Sequence, residues 1–362
     1  MFFSRVRQYL PMREDNIIDD REDFKENDNL YLNWPNGLKK PRIGLIQDKG
    51  PSPYWTRYAH FLENNSIPFE FYNIHDHDWL QKGREFDVIM GKPISAAYEL
   101  DEFQNKFFIL QKQLNKFCLP SFEEVFLYEN KLIEAYLSEV YRFPFIQTYS
   151  SFDKADALLL AEHLRYPCVS KIVPGSGSVG VELIHTKDQA KRIINQVFSS
   201  QGRKIHILYE RQKNFVYFQD YIPNDGYDIR VIVVGEKVFG FYRKAPKGDF
   251  RASGMKIEEK RDLPSEAMKI ARKVNETIKS PLLVVDMLHG NDGNYYINEI
   301  SPLCGISTQD ELQVNGIPGV YIFINDGTYH FEPVNYWIHE AVLYEFFNNY
   351  YLPKVQNIHY AS

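Results

Sequence analysis

The chain has 362 residues and a formal net charge of −6, with 44% hydrophobic and 25% charged residues. These globular proportions exclude global disorder, and no apolar run approaches the roughly 20 residues of a membrane-spanning helix. A net negative charge argues against a general nucleic-acid binder, which is usually basic. Three cysteines are too few for a disulfide framework, so we expect a cytoplasmic protein with no membrane or nucleic-acid partner.

The first two segments of the chain differ in character. Residues 1–38 form a charged N-terminal extension with few apolar residues, which indicates a surface arm. Residues 39–120 contain three apolar runs of strand length, at Arg42–Ile46, Phe69–Tyr72 and Asp87–Met90, with helical periodicity between them. This alternation predicts a small parallel sheet with crossover helices, which is a Rossmann-like domain.

Helices and antiparallel hairpins are predicted for the rest of the chain. Apolar periodicity predicts helices at Ala96–Phe117, Tyr128–Val140, Phe152–Leu164 (capped by Ser151), Lys187–Phe198 and Pro264–Lys279. Runs of strand-forming residues predict a strand at Val216–Ile222 and hairpins of Cys168–Val173 with Val181–Ile184, Ile229–Val234 with Lys237–Arg243, and Leu282–Leu288 with Asn294–Ile300. Aromatic residues make up 15% of the chain and are densest after Tyr321.

The first predicted hairpin has a glycine-rich tip that is a candidate phosphate site. The tip contains Gly175, Ser176, Gly177, Ser178 and Gly180. Glycines let backbone N–H groups approach a polyanion closely, and Lys171 on the preceding strand would add a positive charge. A plain hairpin tip and an exposed strand lysine explain the same residues, so this motif is weak by itself.

Two carboxylates on the last predicted hairpin are candidate metal ligands. Asp286 and Glu299 are thirteen residues apart on strands joined by a tight turn, which places them side by side. Adjacent carboxylates repel each other unless they share a proton or a hard cation, and Mg²⁺ combines one or two carboxylates with substrate phosphates. An exposed cross-strand pair is the alternative, but the apolar setting favours a metal.

Three arginines on or near the intervening strands are candidate anion-binding residues: Arg230, Arg243 and Arg251. Arg230 is the single charged residue within the apolar strand Ile229–Val234. A charge among strand residues is usually paired or functional. Structural ion pairs at the sheet edge are therefore the open alternative.

These motifs follow in a specific order: a lysine, the glycine-rich hairpin, Gln-Asp-Tyr-Ile, Asp-Ile-Arg, Asp-Phe-Arg and Asp…Asn-Glu-Ile. In this order the sequence resembles the ATP-grasp superfamily, and most of all the branch with ribosomal-protein glutamate ligase and glutathione synthetase. The resemblance implies an α/β (α+β ATP-grasp) fold. Its ATP-grasp domain would cover residues 121–305, with a central lobe at about 121–215 and a C-terminal lobe at about 216–305. The aromatic-rich residues 306–362 would then pack on that domain.

The resemblance also implies a role for each matching residue. Lys131 and Lys171 match the phosphate-binding lysines, and the glycine-rich tip matches the loop that closes over the triphosphate. The adenine-reading segment matches Gln219, Asp220, Tyr221 and Ile222, while Asp228, with Asp220 as its rival, matches the ribose-binding position. The phosphoryl-binding arginines match Arg230, Arg243 and Arg251, and the Mg²⁺ ligands match Asp286, Glu299 and Ser301.

The activity implied is an ATP- and Mg²⁺-dependent ligase, with Mn²⁺ as a possible substitute. It would join a small-molecule carboxylate to an amine through an acyl phosphate, with a homodimer as one possible assembly. Two alternatives stay open: a kinase of the same fold that phosphorylates a hydroxyl, and a nucleotide-binding scaffold with weak catalysis. The family usually has Asn where this chain has Ser253 and Ser301, which motivates the second alternative.

Overall fold

The computed structural model describes residues 17–24, 28–49, 52–173, 180–204, 211–255, 257–324 and 327–361. Its helices are α1 Tyr54–Asn64, α2 Trp79–Gly83, α3 Ala97–Phe107, α4 Phe122–Leu127, α5 Lys131–Tyr141, α6 Lys154–His163, α7 Lys187–Val197, α8 Ser265–Ile278, α9 Ile338–Glu345 and α10 Leu352–Ala361. Shorter helical segments are a 3₁₀ turn at Arg21–Asp23 and π-helical segments at Phe108–Gln113 and Phe346–Tyr351. None of the helices in these ranges is both long and apolar enough to cross a membrane.

The strands lie between these helices in chain order. They are β1 Ile43–Leu45, β2 Phe69–Phe71, β3 Val88–Met90, β4 Phe117–Leu119, β5 Thr148–Ser151, β6 Cys168–Ser170, β7 Glu182–Ile184, β8 Arg203–Lys204, β9 Arg211–Gln212, β10 Val216–Asp220, β11 Asn224–Val234, β12 Lys237–Lys244, β13 Glu258–Glu259, β14 Leu283–Gly290, β15 Tyr295–Ser301, β16 Gln313–Val314, β17 Ile317–Phe323 and β18 Tyr329–Pro333.

The chain divides into two compact units whose boundaries differ from the predicted ones. The first unit comprises Met1–Phe126, Leu303–Asp310 and Val334–Ser362, and the second comprises Leu127–Pro302 and Glu311–Pro333. Val334–Ser362 thus belongs to the first unit, while the packing of residues 306–362 on the second domain stays a prediction. Aromatic packing explains the difference, because the ring of Phe347 stacks on that of Phe61 in α1, with centroids 6.4 Å apart.

A parallel sheet forms the centre of the first unit. Its strand order is β2-β1-β3-β4, which confirms the predicted Rossmann-like architecture. The predicted helix at Ala96–Phe117 is too long, since α3 and its π-helical continuation end at Gln113. Asn115 ends the helical path with a left-handed φ of 51°, and Phe117 begins β4.

Part of the predicted surface arm is anchored to the first unit. Asp20 lies 2.6 Å from the guanidinium of Arg57, which is buried. The rings of Phe24 and Trp337 flank that guanidinium at 4.8 and 4.3 Å. Further along, Trp34 contacts the aromatic residues after α9. These contacts place part of the aromatic excess in a layer between the arm, α1 and the C-terminal helices.

Within the described residues, two larger antiparallel sheets form the second unit. The smaller has the order β5-β10-β6-β7, and the larger has the order β15-β14-β11-β12-β17-β16, with β13 beside β12 and β18 beside β17. All three predicted hairpins are confirmed. The cap predicted at Ser151 is wrong: Ser151 is still paired in β5, and the Asp153 carboxylate accepts the N–H of Asp156 at 2.8 Å.

Candidate functional site

A pocket in the second unit brings together many of the residues predicted to bind a ligand. The predicted site residues that line it are Lys131, Lys171, Gln219, Asp220, Tyr221, Ile222, Asp228, Arg251 and Glu299. Five other described residues from the prediction do not line it: Gly180, Arg230, Arg243, Asp286 and Ser301. Gly175, Ser176, Gly177 and Ser178 lie outside the described residues, so the role of the glycine-rich tip stays a prediction.

Two buried lysines line this pocket, and each has an acceptor. Lys131 is the first residue of α5 and its Nζ lies 3.3 Å from Oε1 of Glu299. Lys171 follows β6 and its Nζ donates to Oδ1 of Asn298 at 2.8 Å. Burial alone would lower the pKa of Lys131, but the charges of Glu299 and Glu134 raise it above its usual value. Burial and the charge of Lys131 lower the pKa of Lys171 to about 8.

The acceptors of both lysines come from consecutive residues of β15. Side chains of a regular strand alternate between faces, but Asn298 and Glu299 both line the pocket. A β-bulge accounts for this: Glu299 pairs with Asp286 and Ile297 pairs with Met287, which leaves Asn298 as the extra residue. Asn298 was missed as a site residue in the sequence. Its signal is the break in alternation, since two polar residues separate two apolar ones.

The segment predicted to read adenine forms one wall of the pocket. Gln219 is buried and donates to Oγ1 of Thr148 at 3.0 Å, so its side chain holds β10 against β5. One carboxylate oxygen of Asp220 is buried without a hydrogen-bond partner in the described part of the chain. Burial raises the pKa of Asp220. A ribose hydroxyl would satisfy this oxygen, whereas Asp228 is already bound to an arginine.

Four charged residues form a cluster that we call the charge cluster: Asp228, Arg230, Arg243 and Asp286. Asp228, Arg243 and Asp286 are buried and Arg230 is partly exposed; Asp228 also lines the pocket. Arg230 donates to both oxygens of Asp286, from Nε at 2.9 Å and Nη2 at 2.8 Å. Arg243 donates to both oxygens of Asp228 and also lies 2.7 Å from Asp286. Burial would raise the pKa of Asp286, but the two guanidiniums hold it well below its usual value. This geometry favours the open alternative of structural ion pairs for Arg230 and Arg243.

Arg251 is the predicted arginine that lines the pocket itself. Its guanidinium pairs with Asp249 at 2.7 Å, and both side chains are partly exposed. The neighbouring Ser253 also lines the pocket, and its Oγ lies 3.3 Å from Nη1 of Arg243. An anion in the pocket would therefore meet Arg251 rather than the two arginines of the charge cluster.

The donor set fits a Mg²⁺ ion in part. Mg²⁺ is usually bound through one or two carboxylates together with substrate phosphates and waters. Glu299 faces the pocket and supplies one such carboxylate, whereas both oxygens of Asp286 accept from arginines. In the described ranges, no group of three or more His, Cys, Asp or Glu side chains forms a metal site by itself. Ligation by Asp286 and Ser301 stays a prediction.

The fold, with its parallel sheet followed along the chain by two antiparallel sheets, is similar to that of a solved structure. N5-carboxyaminoimidazole synthetase from Staphylococcus aureus, in its complex with ADP, matches with a TM-score of 0.51. The match covers 80% of this chain and 84% of that chain at 14% identity. At this identity the likeness shows the fold alone.

More specifically, residues 140–315 match the family model described as a RimK-like ATP-grasp domain. The alpha-aminoadipate–LysW ligase LysX of Saccharolobus solfataricus is 27% identical over 182 residues, which are 48% of this chain and 61% of LysX. The ribosomal protein bS6–L-glutamate ligase of Escherichia coli O7:K1 is 34% identical over 157 residues, 41% of this chain and 48% of that ligase. The chain thus spans about half to three fifths of the length of these relatives, and both are named as ligases.

Proposed function

We propose that the protein is an ATP-dependent ligase that joins a carboxylate to an amine with release of ADP and phosphate. The observation that carries the proposal is the pair of buried lysines whose present acceptors, Glu299 and Asn298, lie on one bulged strand. Buried cations facing a pocket suit a polyanion such as a triphosphate. The ligase names of the two relatives support the choice of reaction.

In the proposed reaction, a carboxylate oxygen of the first substrate attacks the γ-phosphorus of ATP, and ADP leaves. The amine of the second substrate then attacks the carbonyl carbon of the acyl phosphate. Inorganic phosphate leaves with the C–O electron pair, and the amine loses a proton as the amide forms. No side-chain nucleophile takes part, so the protein acts by positioning and by charge stabilisation.

Each role in this reaction is assigned to a residue of the pocket. Lys131 and Lys171 would hold the phosphates, Arg251 the transferred phosphoryl group and Asp220 the ribose. Glu299 would hold a Mg²⁺ ion, which supplies charge neutralisation of the phosphates when it is bound. The adenine ring would lie against the wall formed by Gln219, Tyr221 and Ile222.

The experiment that tests the proposal is hydroxylamine trapping. The purified protein is incubated with ATP, Mg²⁺ and a panel of amino acids, dipeptides, uronic acids and peptides with free carboxyl termini. A ligase should release ADP only with its own carboxylate substrate, and hydroxylamine should convert the acyl phosphate to a hydroxamate. Lys131→Met should abolish both signals, whereas Lys154→Met, at an exposed lysine on α6, should leave them unchanged.

Two results would contradict the proposal. Substrate-dependent ADP release with a phosphorylated hydroxyl and no hydroxamate would identify a kinase instead. Nucleotide binding without ADP release for any member of the panel would identify a binding scaffold.

A further inference from the structure

A buried glutamate on α5 lies outside the roles assigned so far. Glu134 is 1% exposed and sits one turn after Lys131. Its Oε2 accepts the backbone N–H of Ile300, one residue beyond Glu299, at 2.9 Å. Buried carboxylates are rare unless they satisfy a specific partner. The partner here is a backbone group of the strand that carries both acceptors of the lysines.

The outer edge of β15 explains why that N–H needs a partner. β15 is the last strand in the order of the larger sheet. Away from β14, the N–H of Ile297 donates to the carbonyl of Pro144 at 2.8 Å, and Ile146 donates back to Ile297 at 2.9 Å. The N–H of Ile300 also leaves the sheet, and Glu134 receives it. The Glu134 side chain thus accepts the hydrogen bond that the backbone of a further strand would otherwise accept.

This pattern occurs only in the bulged register. In a regular strand outward N–H groups recur at every second residue, so an outward group at Ile297 would be followed by one at Glu299. The extra residue Asn298 moves the outward group to Ile300, where Glu134 accepts it. In the regular register Glu134 would face a strand position without a donor, and Asn298 and Glu299 would point to opposite faces.

We propose that Glu134 is a positioning residue that selects the bulged register of β15 and thereby directs Asn298 and Glu299 together toward the two lysines. The inference rests on the proposed function, because it assumes that the pocket binds a nucleotide. It assigns Asn298 to that binding as the residue that orients Lys171. In this proposal, the register of β15 depends on whether the side chain at position 134 is long enough to bring an acceptor oxygen to the N–H of Ile300.

A matched pair of variants separates reach from charge. Glu134→Gln keeps an acceptor at the same distance without the charge, and Glu134→Asp keeps the charge on a side chain one methylene shorter. We expect the affinity for Mg²⁺ and the non-hydrolysable analogue adenylyl imidodiphosphate, measured by calorimetry, to stay within threefold for Glu134→Gln. It should fall at least tenfold for Glu134→Asp. Glu139, exposed on the same helix, provides the controls Glu139→Gln and Glu139→Asp.

Amide hydrogen exchange at Ile300 reports the register directly. It should be slow in the wild type and in Glu134→Gln, and fast in Glu134→Asp. Equal affinity in Glu134→Asp and the wild type would overturn the inference, as would equal losses in the Gln and Asp variants. If Glu134→Asp does not fold, Asn298→Ala decides, since wild-type affinity in that variant would also overturn it. A wild type that does not bind the analogue would refute the proposed function instead.

Discussion

Replacing Arg243 by methionine tests whether the charge cluster is a structural element. Arg243 is buried, and its Nε and Nη2 lie 2.6 and 2.7 Å from the oxygens of Asp228. Methionine retains much of the side-chain length but leaves Asp228 without this partner and Asp286 with one arginine. Removing one member of a buried ion pair costs about 3–5 kcal/mol, because the remaining charge stays buried. We expect a loss of this size in the free energy of unfolding at about pH 8.

Arg251→Met is the matched control for this measurement. Arg251 pairs with Asp249 at a similar distance, but its side chain is 34% exposed and that of its partner 25%. Partly exposed pairs contribute about 0–1 kcal/mol, so urea unfolding should separate the two variants by at least about 2 kcal/mol. A difference below about 1 kcal/mol would refute the reasoning, because the two arginines would then be energetically alike.

The pH dependence of the Arg243→Met deficit provides a second check. Burial raises the pKa of Asp228, and Arg243 opposes that shift. Without Arg243, the folded-state pKa of Asp228 rises further above its unfolded value. A raised folded-state pKa stabilises the folded state below the unfolded value, and the stabilisation is lost as pH rises through the folded value. The difference in free energy of unfolding between the wild type and Arg243→Met should therefore shrink as the pH falls from about 8 to about 5.5. A difference that does not change with pH would contradict the mechanism.

Three further predictions concern other buried charges. Because the pKa of Lys171 is lowered to about 8, nucleotide binding near that pH should be accompanied by the uptake of a fraction of a proton. Calorimetry in buffers of different ionisation enthalpy measures this proton uptake, and Lys171→Met should abolish it. Burial raises the pKa of Asp48 to about 6, so the wild type should lose roughly 2.5 kcal/mol of stability relative to Asp48→Asn as the pH rises from about 4 to about 7. Parallel unfolding profiles for the two proteins would contradict this. Asp20→Ala leaves the buried Arg57 without its carboxylate partner and should lower the free energy of unfolding, measured by urea titration, by about 2 kcal/mol. Asp19→Ala removes one member of an exposed pair and should lower it by less than about 1 kcal/mol.

The sequence predicted the elements of the site well, because each of them depends on local pattern. The hairpin that carries Asp286 and Glu299 is an example, since these residues are direct partners across β14 and β15, as expected from the tight turn. Lys131, Lys171 and Gln219 also line one pocket, and their binding roles stay predictions. The resemblance to the ATP-grasp superfamily implied that these residues belong to one site.

The partners of the charged side chains could not be predicted in the same way. Arg230 lies opposite Asp286 because β11 is next to β14, and Asp228 lies opposite Arg243 because β11 is also next to β12. The first pairing depends on the order of strands in the sheet, which local patterns do not specify. The second follows from the register of the predicted hairpin, but the pair was missed in the sequence. The anchored N-terminal arm is a similar case: the charge of Asp20 suggests solvent exposure, but its partner Arg57 is 37 residues away and buried.

The internal acceptors of the two lysines give the pocket a property that neither lysine would have alone. An unpaired ammonium group in a buried site is strongly unfavourable, so a pocket made of lysines needs partners when no ligand is bound. Glu299 and Asn298 provide them, at 3.3 and 2.8 Å. In the proposed function, a triphosphate at Lys131 would therefore replace a carboxylate contact instead of neutralising a bare charge. Of the paired carboxylates Glu299 and Asp286, Glu299 is the one that lines the pocket. Once released from Lys131, it would lie next to the phosphates, where it could hold a Mg²⁺ ion. Because the bulge presents both acceptors from two consecutive residues, we expect an exchange of partners at one lysine to affect the strand segment that also serves the other.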